Sequence, residues 1–161
     1  MLENKIITYS AITLSESQTK HLGFNLCETL LNRYVNLDKK IYIIIEGRVG
    51  SGKTIFTKGI AQKLSVREDE VTSPTFLLLK TYKNDIKNLH HLDLYRILDN
   101  KNEEKNFLIE IEELLENTYK GDIIVIETNI NIMHLLDEWD YYIQIKVLDN
   151  KNRNIIVKQN I

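Results

Sequence analysis

The sequence predicts an α/β sandwich around a largely parallel central sheet with antiparallel edge strands. Three observations predict it. Two segments, Ile41-Tyr42-Ile43-Ile44-Ile45 and Asp122-Ile123-Ile124-Val125-Ile126-Glu127, are too continuously apolar for strands with one face in water. Stretches whose apolar residues recur every four positions, the helical spacing, alternate with such segments. The last two apolar segments, 141–148 and 154–160, are joined by Asp149-Asn150-Lys151-Asn152 and predict a hairpin at one edge. With 161 residues, 43% of them apolar and 27% charged, the chain is expected to form one domain over 1–161 with a substantial core.

Taken in order, residues 5–12 read as a first strand. Ser15 and Gln18 have the spacing of a capping box, and Leu22, Leu26 and Leu30 continue at i, i+4 and i+8, so a helix is expected from Ser15 to about Val35. Residues 36–40 are a polar turn and 41–45 a buried strand. Phe56, Ile60 and Leu64 then mark a helix of about three turns. Residues 74–82 and 88–97 read as extended, 102–119 as a helix with an acidic outer face, and 122–127 as a second buried strand.

The formal net charge is -2, so no positive field calls for DNA, bare RNA or an anionic membrane. The single cysteine, Cys27, fits a reducing compartment and is read as a small buried hydrophobe. Residues 1–14 lack a basic start followed by an apolar run, and no apolar run nears the ~20 residues that span a bilayer. A cytoplasmic protein is the expectation.

Only six glycines occur, and Gly47, Gly50 and Gly52 fall within six residues. Gly47-Arg48-Val49-Gly50-Ser51-Gly52-Lys53-Thr54 fits G-x-x-x-x-G-K-[ST], the P-loop pattern, between a predicted strand and a predicted helix that continues with Ile55. Backbone N–H groups can wrap a phosphate chain only where side chains do not intrude and where positive φ is tolerated, which favours glycine. The following helix offers its free N–H groups and its positive dipole end. Lys53 would neutralise the β- and γ-phosphates, and the Thr54 hydroxyl would ligate Mg2+. Arg48 is read as a loop arginine facing solvent. The expected architecture is thus the P-loop NTPase three-layer sandwich. The loop alone leaves kinase, GTPase and ATPase open.

Glu127 ends a buried strand. In open α/β sheets the ligand crevice lies beyond the carboxyl ends of the strands, so Glu127 should reach the crevice that Lys53 enters. There it would hold a metal-bound water or orient the attacking water. Ser73-Pro74-Thr75-Phe76 contains the chain's one proline, which biases Ser73 toward extended backbone; taken alone the stretch reads as a plain turn before a strand, or as a segment whose Ser73 and Thr75 hydroxyls serve a γ-phosphate or a water. Along His91-Leu92-Asp93-Leu94-Tyr95-Arg96, alternation puts His91, Asp93 and Tyr95 on one face, as a site wall or a structural polar network. His90 and His91 point to opposite faces, which argues against a shared zinc ion.

Together these residues resemble the TsaE (YjeE) family, bacterial ATPases required for the threonylcarbamoyladenosine modification of tRNA. The resemblance runs from the helix carrying Leu22-Gly23 to the closing strands. It implies that Gly47 to Thr54, with Ile55, bind ATP, that Thr54 coordinates Mg2+ with Asp93 and Glu127 as acidic partners, directly or through water, and that Lys53, Asp93 and Glu127 are catalytic, Asp93 or Glu127 orienting the attacking water. It also implies that Ser73 and Thr75 sense the γ-phosphate. Family members act with TsaB and TsaD, which carry out the transfer to adenosine 37, so tRNA is met only indirectly. Two positions depart from the pattern: Arg48 stands where the family has Asp, and Thr128 follows Glu127 where the family has Trp. These bear on rate and partner contacts more than on nucleotide binding. Two rival readings are a small-molecule or nucleoside kinase, and an ATP-gated subunit that clamps partners while barely hydrolysing. The N-terminal strand–helix region, with Thr19, is the expected wall for the adenine.

Overall fold

The computed structural model describes residues 6–34, 38–73, 79–85, 87–94, 109, 111–149 and 151–161. Its elements are β1 (Ile6–Thr13), α1 (Glu16–Arg33), β2 (Ile41–Gly47), α2 (Lys53–Lys63), β3 (Leu79–Tyr82), β4 (Leu89–Asp93), β5 (Ile123–Thr128), β6 (Tyr141–Val147) and β7 (Arg153–Asn160), with residues 111–114 helical between β4 and β5. The seven strands form one mixed sheet in the order β1-β7-β6-β2-β5-β4-β3. Strands β6, β2, β5 and β4 are parallel, and β1, β7 and β3 pair antiparallel at the margins.

Burial follows from that placement. All six residues of β5 are buried, because both faces of the sheet's middle are covered. One face carries Ile41, Ile43, Ile45, Ile123, Val125 and Leu89 against α1 and α2. The other carries Ile44, Ile124, Ile126, Leu92 and Leu94 against Ile111 and Leu115. Each such side chain contributes about 2 kcal/mol on leaving water. Strand β7 alternates buried and half-buried residues along its whole length, as expected where only one face is covered. Among the described residues no helix is long and apolar enough to cross a membrane.

Helix α1 starts and ends within two residues of expectation. Ser15 caps it by accepting from Gln18 N at 3.2 Å. The Gln18 side chain, however, accepts from Leu14 N at 2.7 Å and not from the cap residue, so the box is displaced by one position. Cys27 is fully buried, and desolvation pushes its thiol up to about 12, in keeping with a packing role. Thr19 is also fully buried, its hydroxyl 2.8 Å from that of Thr13 and donating to Ser15 O at 3.2 Å. That overturns its expected place on the adenine wall: Thr19 ties α1 to β1.

Two glycines outside the loop let α1 and α2 meet backbone to backbone. A Cβ on Gly59 would lie 1.9 Å from Lys20 O, and one on Gly23 would lie 2.2 Å from Phe56 O. The helices must separate to admit even a methyl group. Gly59→Ala is expected to cost about 3 kcal/mol by overpacking, read as a lower urea midpoint with an unchanged slope.

Candidate functional site

Strand β2 delivers the chain to Gly47 at its carboxyl end. Arg48, Val49 and Gly50 are exposed, and Ser51 N donates to Arg48 O at 3.0 Å to close the turn. Gly50 and Gly52 have φ of 76° and 106°, the left-handed region in which a side chain would be strained. Gly47 has no room for one, since a Cβ there would lie 2.3 Å from Ser51 Oγ. Helix α2 then begins at Lys53. Its N-cap, Gly52, offers no side-chain acceptor, and its first turn contains no acid. The first N–H groups and the positive end of the dipole are therefore left to a ligand.

The Lys53 side chain folds back over the loop, donating to Gly47 O at 2.8 Å and Arg48 O at 3.1 Å. Burial holds its ammonium below the ordinary lysine value, against the pull of Glu127 and then Asp93. A cation kept in place by two carbonyls, where burial disfavours its charge, is poised to accept anionic oxygens.

Glu127, 1% exposed, anchors the acidic side. Its Oε2 accepts from Thr54 Oγ1 at 3.0 Å. Its Oε1 lies 2.7 Å from Thr57 Oγ1 and 2.8 Å from His91 Nε2. Burial alone would raise this acid. The nearby His91, through proximity and its hydrogen bond, then Thr57 and Thr54, more than offset that, so the carboxyl lies below its ordinary range. An ionised carboxylate only accepts, so His91 Nε2 carries the proton of this hydrogen bond. His91 Nδ1 is buried without a hydrogen-bond partner. Asp93 is the direct register partner of Glu127 in the adjacent parallel strand, and the two carboxylates share the α2 face of the sheet. The Ser73 hydroxyl donates to Asp93 Oδ2.

Of the residues expected from the sequence, the loop Gly47–Thr54, Asp93, Glu127 and Ser73 converge at the carboxyl ends of β2, β4 and β5. Ile55 is half-buried in the first turn of α2. Thr75, Pro74, Tyr95 and Arg96 lie outside the described residues. His91 and Asp93 share one face and Leu92 and Leu94 the other, as alternation requires, and His90 turns away to Asp122 Oδ2 at 2.8 Å. The departure at Thr128 points to the face opposite Glu127, where its hydroxyl donates to Ile130 O at 3.0 Å. It therefore does not touch the carboxylates. Two residues went unseen in the sequence. Thr57 stands three positions after Thr54 and so on the same helix face, a signal that could have found it. Arg153 donates to Ser51 O at 2.7 Å from 102 residues away, and no local pattern predicts that.

The donor set fits a magnesium-bound nucleotide: a glycine cradle with an uncapped helix end for phosphate, and Thr54, Asp93 and Glu127 as hard oxygen donors beside it.

Comparison with known proteins bears on the family. The family model described as threonylcarbamoyl adenosine biosynthesis protein TsaE matches residues 13–155. A tRNA threonylcarbamoyladenosine biosynthesis protein TsaE from Rickettsia typhi is 34% identical over 145 residues, covering 90% of this chain and 91% of that one. A protein of the same name from Treponema pallidum is 35% identical over 121 residues, covering 75% and 84%. The crystal structure of YdiB from Bacillus subtilis superposes with a TM-score of 0.63 over 96% of this chain and 87% of that one, at 22% identity, and so shares the fold. With a family match over almost the whole length and relatives above 30% identity, this chain belongs to the TsaE family.

Proposed function

We propose that this chain binds and hydrolyses ATP to support threonylcarbamoyladenosine formation in tRNA, in the cytoplasm, beside TsaB- and TsaD-like proteins and meeting tRNA only through them. Relatives above 30% identity are named for that biosynthesis. The observation that carries the nucleotide reading is the meeting of three things at one sheet edge. They are an uncapped helix start, a lysine folded over the glycine loop, and a threonine hydroxyl on a buried carboxylate. We read the architecture as one P-loop NTPase domain, the helices on either side of the sheet making the outer layers.

In this reading the loop amides from Arg48 to Thr54 hold the phosphates. Lys53 Nζ exchanges the carbonyls of Gly47 and Arg48 for β- and γ-phosphate oxygens. Mg2+ would be held by Thr54, Asp93 and Glu127, directly or through water, and would supply positive charge against the negative charge that builds up during phosphoryl transfer. Thr57 and His91 fix Glu127 through Oε1, and Oε2, which accepts from Thr54, has a second lone pair to accept a hydrogen bond from the attacking water. Water adds to the γ-phosphorus, the bond to the β-bridging oxygen breaks, and ADP and phosphate leave. Ser73 and Thr75 supply hydroxyls toward the γ-phosphate.

The test is phosphate release from ATP by the purified chain with no acceptor present, alone and with TsaB- and TsaD-like proteins of the same host. Release without acceptor, and co-elution with both partners when ATP is present, is the expected result. Phosphate appearing only on an added nucleoside would turn the assignment to a kinase. Co-elution under a non-hydrolysable analogue with no release under ATP would turn it to a clamp.

A further inference from the structure

Arg153, the first residue of β7, reaches the glycine loop from the β6 side of β2, while Glu127 and Asp93 stand on β5 and β4 at the other side. It is 6% exposed. Its Nε donates to Ser51 O at 2.7 Å and its Nη1 to Lys151 O at 2.9 Å. Among the described residues a carboxylate reaches it only at the margin: Glu16 Oε1 stands 4.0 Å from Nη2, on a side chain 74% exposed. The guanidinium also packs on Gly52, where a Cβ would lie 2.8 Å from Nε. A buried arginine with so little neutralisation spends its strongest donors on backbone carbonyls.

The carbonyl it holds decides what this achieves. Ser51 C=O and Gly52 N–H belong to one peptide plane. In a trans peptide the two point in opposite directions, and among the described residues no peptide bond is cis. Fixing the carbonyl on Arg153 therefore aims the Gly52 N–H away from Arg153. Gly52 sits at φ 106°, and glycine allows that plane to rotate more freely than any other residue would. A charged donor on the carbonyl also polarises the peptide and makes its N–H a better donor.

We propose that Arg153 is a positioning residue of the phosphate cradle: it locks the Ser51–Gly52 peptide with the amide toward the ligand and places a positive charge behind it. This rests on the nucleotide reading above. The terminal hairpin, remote in sequence, thereby sets the strength of the phosphate grip.

The experiment uses the full chain with 15N-labelled glycine, which gives at most six amide signals, and titrates ADP with Mg2+ into wild type, Arg153→Lys and Arg153→Met. Lysine keeps the charge but cannot serve both carbonyls; methionine keeps only the bulk. The expected result is a loss of ADP affinity of about tenfold or more in Arg153→Met, the worth of a charge-assisted hydrogen bond, with Arg153→Lys between. The Gly52 signal should shift in the ligand-free variants, while those of Gly23, Gly59 and Gly121 stay in place. ADP affinity within about twofold of wild type in both variants would overturn the role of Arg153 alone. Displacement of the distant glycine signals in Arg153→Lys would make Arg153 a fold determinant and overturn it too. A wild type indifferent to ADP would overturn the nucleotide reading itself.

Discussion

Lys53→Met is expected to abolish productive ATP binding while leaving the empty protein folded. In the ligand-free chain the Lys53 ammonium is buried, held below its ordinary value, and among the described residues satisfied only by the carbonyls of Gly47 and Arg48. Its charge is there a burden on the fold, and methionine fills the same channel without it. With triphosphate bound the balance reverses, because the ammonium faces two phosphates in a site partly shielded from water. Removing one member of such a desolvated charge pair costs about 3 kcal/mol or more, at least about a hundredfold in affinity. Titration calorimetry with ATP checks the binding and thermal unfolding without nucleotide checks the fold. An unchanged dissociation constant would remove Lys53 from the site. A large fall in the unfolding temperature of the empty protein would mean that the lysine serves the loop and not the ligand.

Much of this arrangement was legible in the residues, for identifiable reasons. Strands β2 and β5 announced themselves because covering both faces demands unbroken apolar runs. The loop was legible because a turn with positive φ at Gly50 and Gly52 and no room for a side chain at Gly47 needs glycine at those places, and Glu127 because an acid at the end of a buried strand stands out among apolar neighbours. What escaped was non-local or local in a misleading way. Arg153 meets Ser51 only because β7 pairs with both β1 and β6, a register that no neighbouring residue encodes. Thr19 looked available because it is polar and near the first strand. Its burial follows from Thr13 and Ser15 lying against it. Gly23 and Gly59 were unreadable for another reason: close helix crossing depends on the space between two elements, and composition along either one says nothing of it.

Glu127→Gln is expected to leave nucleotide affinity near that of wild type and to slow hydrolysis by about a hundredfold or more, the usual share of a positioned acid–base group. The existing hydrogen bonds accommodate the amide. Its oxygen can take the place of Oε1, accepting from His91 Nε2 and Thr57, and its NH2 can face Thr54 Oγ1 in place of Oε2. What glutamine cannot supply is a negative charge at Oε2 toward the water and the cation. Single-turnover hydrolysis separates the two effects: an unaltered chemical step would exclude Glu127 from it, and a lost affinity would make it a binding group. The same variant gives a second readout through pH. Because the folded protein holds Glu127 below the unfolded carboxyl value, its ionisation contributes stability that is present above the ordinary carboxylate range and lost as pH falls through the lower folded value. Glutamine has no such contribution, so the stability gap between wild type and variant should be widest near neutrality and close toward acid. A gap independent of pH would mean that the neighbours of Glu127 do not favour its charge, and Thr57 and His91 would then hold the side chain in place without tuning it.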